Sequence, residues 1–144
     1  MSAVDAALIA QLIPHQGAMS LLERVRMWDA TRIVALAGSH RAASHPLRHH
    51  GRLPAVHLCE YGAQAAALHG GLVAHAAGGR AAPGYLVALR EVNFARPYIH
   101  DLPGDLEIGA ELLLQDGGSW QYRFTVAHAG EALADGRLAI MRRR

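Results

Sequence analysis

The 144 residues, 51% apolar and 18% charged, suit one compact domain over 1–144 and argue against disorder. A formal net charge of +2, with no basic stripe interleaved by aromatics, speaks against a nucleic-acid partner. No apolar run is long enough to span a membrane, Asp5 and Gln11 interrupt any signal-peptide pattern, and the single Cys59 forms no intrachain disulfide, so the expected location is cytoplasmic. All 14 basic residues are arginine, which fits genome composition better than function. The low charge suggests that some surface is buried in an oligomer. Asp5 to Leu12 reads as a short helix that Asp5 caps and Pro14 ends, with Ala6, Leu8, Ile9 and Leu12 as its apolar stripe. Met19 to Trp28 reads as a strand or strand pair, Asp29-Ala30 as a turn, and Thr31 to Ala37 as a second strand. Gly38 to Gly51 is irregular and polar. Ala55 to about Leu72 reads as the long central helix, buried against a sheet, with Gly70 and Gly71 helping to end it. A glycine-rich loop over 78–84 lacks the residues of a phosphate loop. The remainder alternates as strands: Tyr85–Phe94, Asp105–Gln115, Ser119–Ala127 and Glu131–Met141, with turns at Asp116-Gly117-Gly118 and Ala129-Gly130.

Glu60 is the residue that stands out. It lies in an apolar, alanine-rich helix, where a carboxyl group is costly unless it is paired, neutral or used. Gln64, four residues on, shares its helix face and can orient the carboxyl or touch a substrate. Just upstream lie His45, His49 and His50, so an acid–base pair is within reach of a fold that closes the loop onto the helix. The ten histidines raise the question of a metal, but there is no His-Glu-x-x-His and no cysteine–histidine spacing. No metal and no cofactor are expected. His57 and His69 read as packing or polar-contact groups, and Cys59 as a small core group.

Three blocks then carry a family resemblance. Leu12 to Val25 (LIPHQGAMSLLERV) resembles a Pro-His opening that leads to a Leu-Leu-acid-Arg-Val strand. His45-Pro46-Leu47, followed by Leu53-Pro54-Ala55 through Glu60-Tyr61-Gly62-Ala63-Gln64, resembles an active-site loop and central helix. Val92 to Pro97, followed by Pro103-Gly104-Asp105-Leu106, resembles a later strand and its turn. Over roughly residues 8–141 the chain resembles hotdog-fold 3-hydroxyacyl-(acyl-carrier-protein) dehydratases, nearest the branch associated with aryl polyene and related pigment biosynthesis. Ordinary members read His-Phe-Pro-Gly where this chain reads His45-Pro46-Leu47-Arg48, and Pro-Gly where it reads Pro54-Ala55. His49 is the second candidate for the catalytic histidine.

The resemblance implies an α+β hotdog fold, a long central helix wrapped by a curved antiparallel β-sheet. It implies a homodimer in which His45 of one chain meets Glu60 of the other, with hetero-oligomer formation with another dehydratase as an alternative. His45 would be the general base and Glu60 the general acid. Backbone N–H groups at Ala55 and Val56 would face the thioester oxygen, while Tyr61, Gln64 and Phe94 would line the acyl site. Arg48, Arg52 and Arg96 would meet an acyl carrier protein bearing a phosphopantetheine-linked 3-hydroxyacyl chain. A hotdog thioesterase and a catalytically silent partner subunit are the competing readings.

Overall fold

The computed structural model describes residues 4–13, 17–80 and 84–143. Pro14 and His15 of the opening block, and residues 81–83 of the glycine-rich loop, lie outside the described residues.

Helix α1 spans Ala6–Leu12; the Asp5 carboxylate accepts the Leu8 N–H at 2.9 Å, the cap that satisfies an otherwise orphaned donor. Strands β1 (Arg24–Trp28) and β2 (Arg32–Ala37) form an antiparallel hairpin. Their turn is held by Asp29, whose side chain accepts the N–H groups of Thr31 and Arg32. The expected first strand is shorter than Met19–Trp28, because 17–19 forms a 3-10 turn and 20–23 belongs to no regular element.

A 3-10 turn at Ala55–His57 leads into helix α2, Leu58–Ala76. Helix α2 therefore runs past Leu72, and Gly70 and Gly71 lie inside it rather than at its end. At Gly71 the reason is contact: a Cβ there would sit 3.0 Å from the Leu12 Cβ and 3.1 Å from its carbonyl oxygen, so α1 crosses α2 where a side chain is missing.

Strands β3 (Gly84–Phe94), β4 (Leu106–Asp116), β5 (Ser119–His128) and β6 (Glu131–Arg142) complete one six-stranded antiparallel sheet in the order β1-β2-β4-β5-β6-β3. The two tight turns fall where the sequence places them. Gly117 has φ 60°, and Ala129 and Gly130 have φ 50° and 81°, backbone angles matched to hairpin twist.

The period-two pattern becomes burial. Leu106, Ile108 and Ala110 of β4, Tyr122, Phe124 and Val126 of β5, and Leu133 and Leu138 of β6 are buried, and α2 lies across this face through Leu58, Tyr61, Ala65, Leu68 and Leu72. The sheet approaches the helix closely because Gly62 faces Phe124. The far edge is different: Tyr85, Leu86, Val87 and Leu89 of β3 are exposed on a strand with a neighbour on one side only. Among the described residues no helix is long and apolar enough to cross a membrane.

Candidate active site

The loop between β2 and α2 brings the candidate histidine to the helix. His45 is 5% exposed. Its Nδ1 accepts the Leu47 N–H at 3.1 Å, and its Nε2 lies 3.2 Å from the Tyr61 hydroxyl on α2. The Tyr61 hydroxyl is 2.7 Å from the Ser39 hydroxyl, and Ser39 donates to the Leu21 carbonyl at 2.9 Å. Tyr61 is fully buried, and burial pushes its phenol up to about 12, so it stays a neutral donor and acceptor. Burial is also the main cause that lowers the His45 pKa, with His57, Arg48 and His40 adding repulsion. His45 is thus held as a neutral imidazole near pH 7.

Glu60 sits in the first turn of α2, half-buried, and its Oε1 accepts the Gln64 Nε2–H at 3.1 Å. The Gln64 amide also donates to the Met19 carbonyl at 2.7 Å, and its oxygen accepts the Leu21 N–H at 2.9 Å. This side chain staples segment 19–21 to α2 and steadies the Glu60 carboxyl. No hydrogen bond among the described residues joins His45 to Glu60 within the chain. The helix instead presents residue 61 to His45 and residue 60 to Gln64.

At the helix start the two expected oxyanion donors differ. The Ala55 N–H donates to the Pro97 carbonyl at 2.8 Å, whereas the Val56 N–H makes no hydrogen bond with a described residue, and Val56 is 55% exposed. Phe94, at the end of β3, is 39% exposed, and the segment after it reaches the helix start through the Ala55–Pro97 bond.

The three arginines are not equivalent. Arg48 donates to the carbonyls of Gly51 and His40 and holds its own loop together. Arg96 is paired with Asp101 at 3.1 Å. Arg52 has no acidic partner among the described residues; it stacks over Tyr98 with its guanidinium carbon 5.3 Å from the ring centroid. Arg52, Tyr98, Pro54 and the edge-on pair His49–His50 line an open pocket, with no carboxylate among the described lining residues. Residues 50 and 51, at φ 51° and 75°, turn the chain so that His49 and Arg52 pair across it. His49 therefore lies at a surface turn, apart from the buried His45.

Tyr98, His100 and Ser39 carry parts of this site that the sequence reading did not assign. His100 accepts the Leu53 N–H at 3.2 Å and anchors the approach to α2. Only Ser39 carried a signal, as part of a Ser-His pair in the polar loop. Among the described residues no group of three or more metal-ligating side chains comes together.

One antiparallel sheet wrapped about a long buried helix, with a buried histidine and a carboxylate at that helix's first turns, defines a hotdog protein of the dehydratase type. The chain belongs to the ApeP-like family of ApeP dehydratases, whose family model matches residues 7–144. It is 32% identical over 149 residues to the 3-hydroxyacyl-[acyl-carrier-protein] dehydratase FabZ of Granulibacter bethesdensis, a match covering 96% of this chain and 82% of that protein. Its fold is similar to a chain of the dehydratase heterocomplex ApeI:P from Xenorhabdus doucetiae, with TM-score 0.84, 24% identity, and coverage of 94% of this chain and 91% of that one. A hypothetical thioesterase from Streptococcus pneumoniae TIGR4, solved with coenzyme A, shares the fold at TM-score 0.62 and 12% identity, covering 83% of this chain and 84% of that one.

Proposed function

We propose that this dehydratase converts a 3-hydroxyacyl thioester on an acyl carrier protein into the trans-2-enoyl thioester and water, in aryl polyene or related fatty-acid-like biosynthesis. The observation that carries the reading is the buried His45 on the loop beside a helix that opens with a Val56 N–H bonded to no described residue and carries the Glu60 carboxyl in its first turn.

His45 takes the C2 proton. The charge that develops on the thioester oxygen falls near the Val56 N–H at the positive end of α2. As the C3–O bond breaks, Glu60 gives its proton to the departing hydroxyl, which leaves as water. Transfer of a proton from His45 back to Glu60 through solvent restores the starting state.

Within one chain His45 and Glu60 serve different contacts, so the working pair is formed between two subunits. The exposed apolar edge of β3 supports this, because an unpaired edge bearing Tyr85, Leu86, Val87 and Leu89 is a template for a second strand. A second copy is the partner we favour. A related hotdog dehydratase is the alternative, supported by the heterocomplex of the similar Xenorhabdus doucetiae chain. The carbon chain bound to the carrier would run past Phe94, and the carrier's acidic surface or phosphopantetheine phosphate would meet Arg52, His49 and His50. Arg48 and Arg96 support that surface through the loops they brace.

The test is mass-spectrometric turnover of a carrier-bound 3-hydroxyacyl thioester by the wild type, His45→Ala and Glu60→Gln. A product lighter by one water, lost in both variants, is expected. Release of the free acid would assign a thioesterase. A chain inert across short, long and polyene-like substrates would be a silent subunit.

A further inference from the structure

The connection between β3 and β4 is fastened to the loop before α2 by imidazoles. His40, in the 3-10 turn Ser39–Arg41, is fully buried, with Nε2 2.8 Å from the Leu102 carbonyl. A carbonyl oxygen only accepts, so Nε2 carries the proton and Nδ1 keeps a lone pair. That Nδ1 is buried and has no hydrogen-bond partner among the described residues. His100 is fastened the other way round: its Nδ1 accepts the Leu53 N–H at 3.2 Å, so the lone pair itself makes the bond. His128, at the end of β5, donates from Nε2 to the Pro103 carbonyl at 2.6 Å. The Leu53 carbonyl in turn accepts the Ile99 N–H at 3.0 Å, and the Pro97 carbonyl accepts the Ala55 N–H, so the same connection holds the entry to α2.

Protonation treats these three bonds differently. His128 donates, and goes on donating as an imidazolium. His100 as an imidazolium carries N–H on both nitrogens, so Nδ1 meets the Leu53 N–H donor to donor and the bond is lost. His40 as an imidazolium would keep its bond to Leu102 but bury a charge and a second N–H without an acceptor, which is costly. Its surroundings oppose the charge as well. Arg41, Arg48 and His45 lie on its own loop, Arg48 through an Nη2 that donates to the His40 carbonyl, and His128 acts on it from the end of β5. Asp105, just before β4, is the carboxylate that favours the charge, and it is already paired with Arg24 and Arg41. Burial above all, with Arg41 and His128, keeps His40 below the ordinary imidazole value of 6.5 despite the Leu102 bond and Asp105. Around His100 stand the Tyr98 ring, edge-on at 5.9 Å, the Arg52 guanidinium over that ring, and Asp101, which is paired with Arg96.

We infer that the β3–β4 connection is a strap that acid releases: His40 and His100 hold it closed only as neutral imidazoles, and their protonation parts segment 99–104 from the loop and from the start of α2. Release frees the Ala55 N–H and moves Tyr98, so the helix start and the pocket beside it loosen together while the sheet stays folded. The device belongs to the fold and does not depend on the reaction proposed above. An imidazole in the released strap titrates near 6.5, so the released state binds protons that the closed state refuses, and release grows as the pH falls. At about pH 5.5 the gain is about 10-fold for each imidazole shut out of its proton.

Amide hydrogen exchange on the whole, substrate-free protein, corrected for the intrinsic pH dependence of exchange, is the test. Between about pH 7.5 and about pH 5.5 the protection of the Leu53, Ala55 and Ile99 amides is expected to fall about 10-fold or more relative to amides of the β4–β5 ladder. His100→Asn keeps an acceptor for the Leu53 N–H and His40→Gln keeps a donor for the Leu102 carbonyl, and neither side chain titrates in this range. The double variant is therefore expected to hold the strap equally at both pH values. A wild type whose strap amides stay level with the ladder, or an acid loss undiminished in the double variant, would overturn the inference. Should the double variant fold poorly, His100→Asn alone is expected to cut the acid loss by about 10-fold, and an undiminished loss there is equally decisive. Ring ¹⁵N shifts of the wild type at about pH 7.5 give a reading that needs no variant: both His40 and His100 are expected to carry the proton on Nε2, and a proton on Nδ1 of either would sink the strap.

Discussion

Gly62 lies two residues beyond Glu60 and one beyond Tyr61, and Gly62→Ala tests whether the helix–sheet contact at the site is as tight as the structure makes it. Two effects oppose each other. Alanine in a helix interior is favoured over glycine by about 1 kcal/mol. Against this, a Cβ at Gly62 would sit 2.6 Å from two ring carbons of Phe124 and 2.9 Å from its Cβ. Ordinary contact needs about 3.5–4.0 Å, so the ring or the helix must move by roughly 1 Å. Phe124 has little room: it is fully buried, and its other end faces Gly136, where an added Cβ would meet the ring at 2.8 Å. Overpacking of this kind costs about 1–3 kcal/mol, and a ring held between two glycines belongs in the upper half of that range. The net expectation is a loss of about 1–2 kcal/mol. Gly70→Ala is the internal control, because nothing lies within 4 Å of its added Cβ and only the helix gain of about 1 kcal/mol remains. Urea unfolding followed by far-ultraviolet circular dichroism, at one fixed protein concentration, should separate the two variants by about 2–3 kcal/mol. Equal stability of the two would refute the claim that Gly62 is kept for close approach.

Stability should fall on mild acidification, because burial holds His40, His45 and His69 below the ordinary imidazole value of 6.5. The unfolded chain takes up these protons first, so their contribution is full above about pH 6.5 and declines as the pH drops towards each lowered value; a urea midpoint flat from pH 7.5 to pH 5 would contradict this. At the pocket mouth, Arg52→Glu should raise KM for a carrier-bound substrate several-fold or more, while leaving turnover of a small pantetheine thioester unchanged, and the carrier effect should shrink as salt is added. Equal KM effects on both substrates would place Arg52 in the acyl site instead of at the carrier contact.

What the sequence made legible is what depends on local pattern. Alternation in β4 and β5 is read directly because one face packs on α2 and the other meets solvent, and the Asp5 cap because the hydrogen bond is made three residues away. Helix α2 runs past Gly70 and Gly71 because glycine carries two messages: low helix propensity, which the sequence shows, and close approach, which depends on where α1 crosses. The site divides in the same way. Glu60 is visible because a carboxyl group in an apolar helix is locally anomalous, and Gln64 because its spacing puts it on the same face. Tyr61 reads as a generic aromatic, and its bond to His45 exists only because the loop folds over the helix. Ala55 and Val56 look equivalent as donors until Pro97, more than forty positions away, takes one of them.

The candidate groups share a mechanical origin. Val56 lies in the 3-10 turn that opens α2 and Glu60, Tyr61 and Gln64 in the first turns of the helix, and this stretch is tied to three segments: Gln64, which also holds Glu60, to residues 19–21, Tyr61 to Ser39 and His45, and the Ala55 N–H beside Val56 to Pro97. A displacement of α2 of about 1 Å would therefore disturb the Glu60 carboxyl, His45 and the Val56 N–H, the three groups of the proposed mechanism, together, and misplacement on that scale can cost about 100-fold in rate. The glycine facing Phe124 fixes how closely this helix meets the sheet, so its packing bears on catalysis as well as on stability. Turnover in Gly62→Ala should accordingly fall by more than the fraction of protein unfolded accounts for, and Gly70→Ala, in the same helix without such a contact, should lose none.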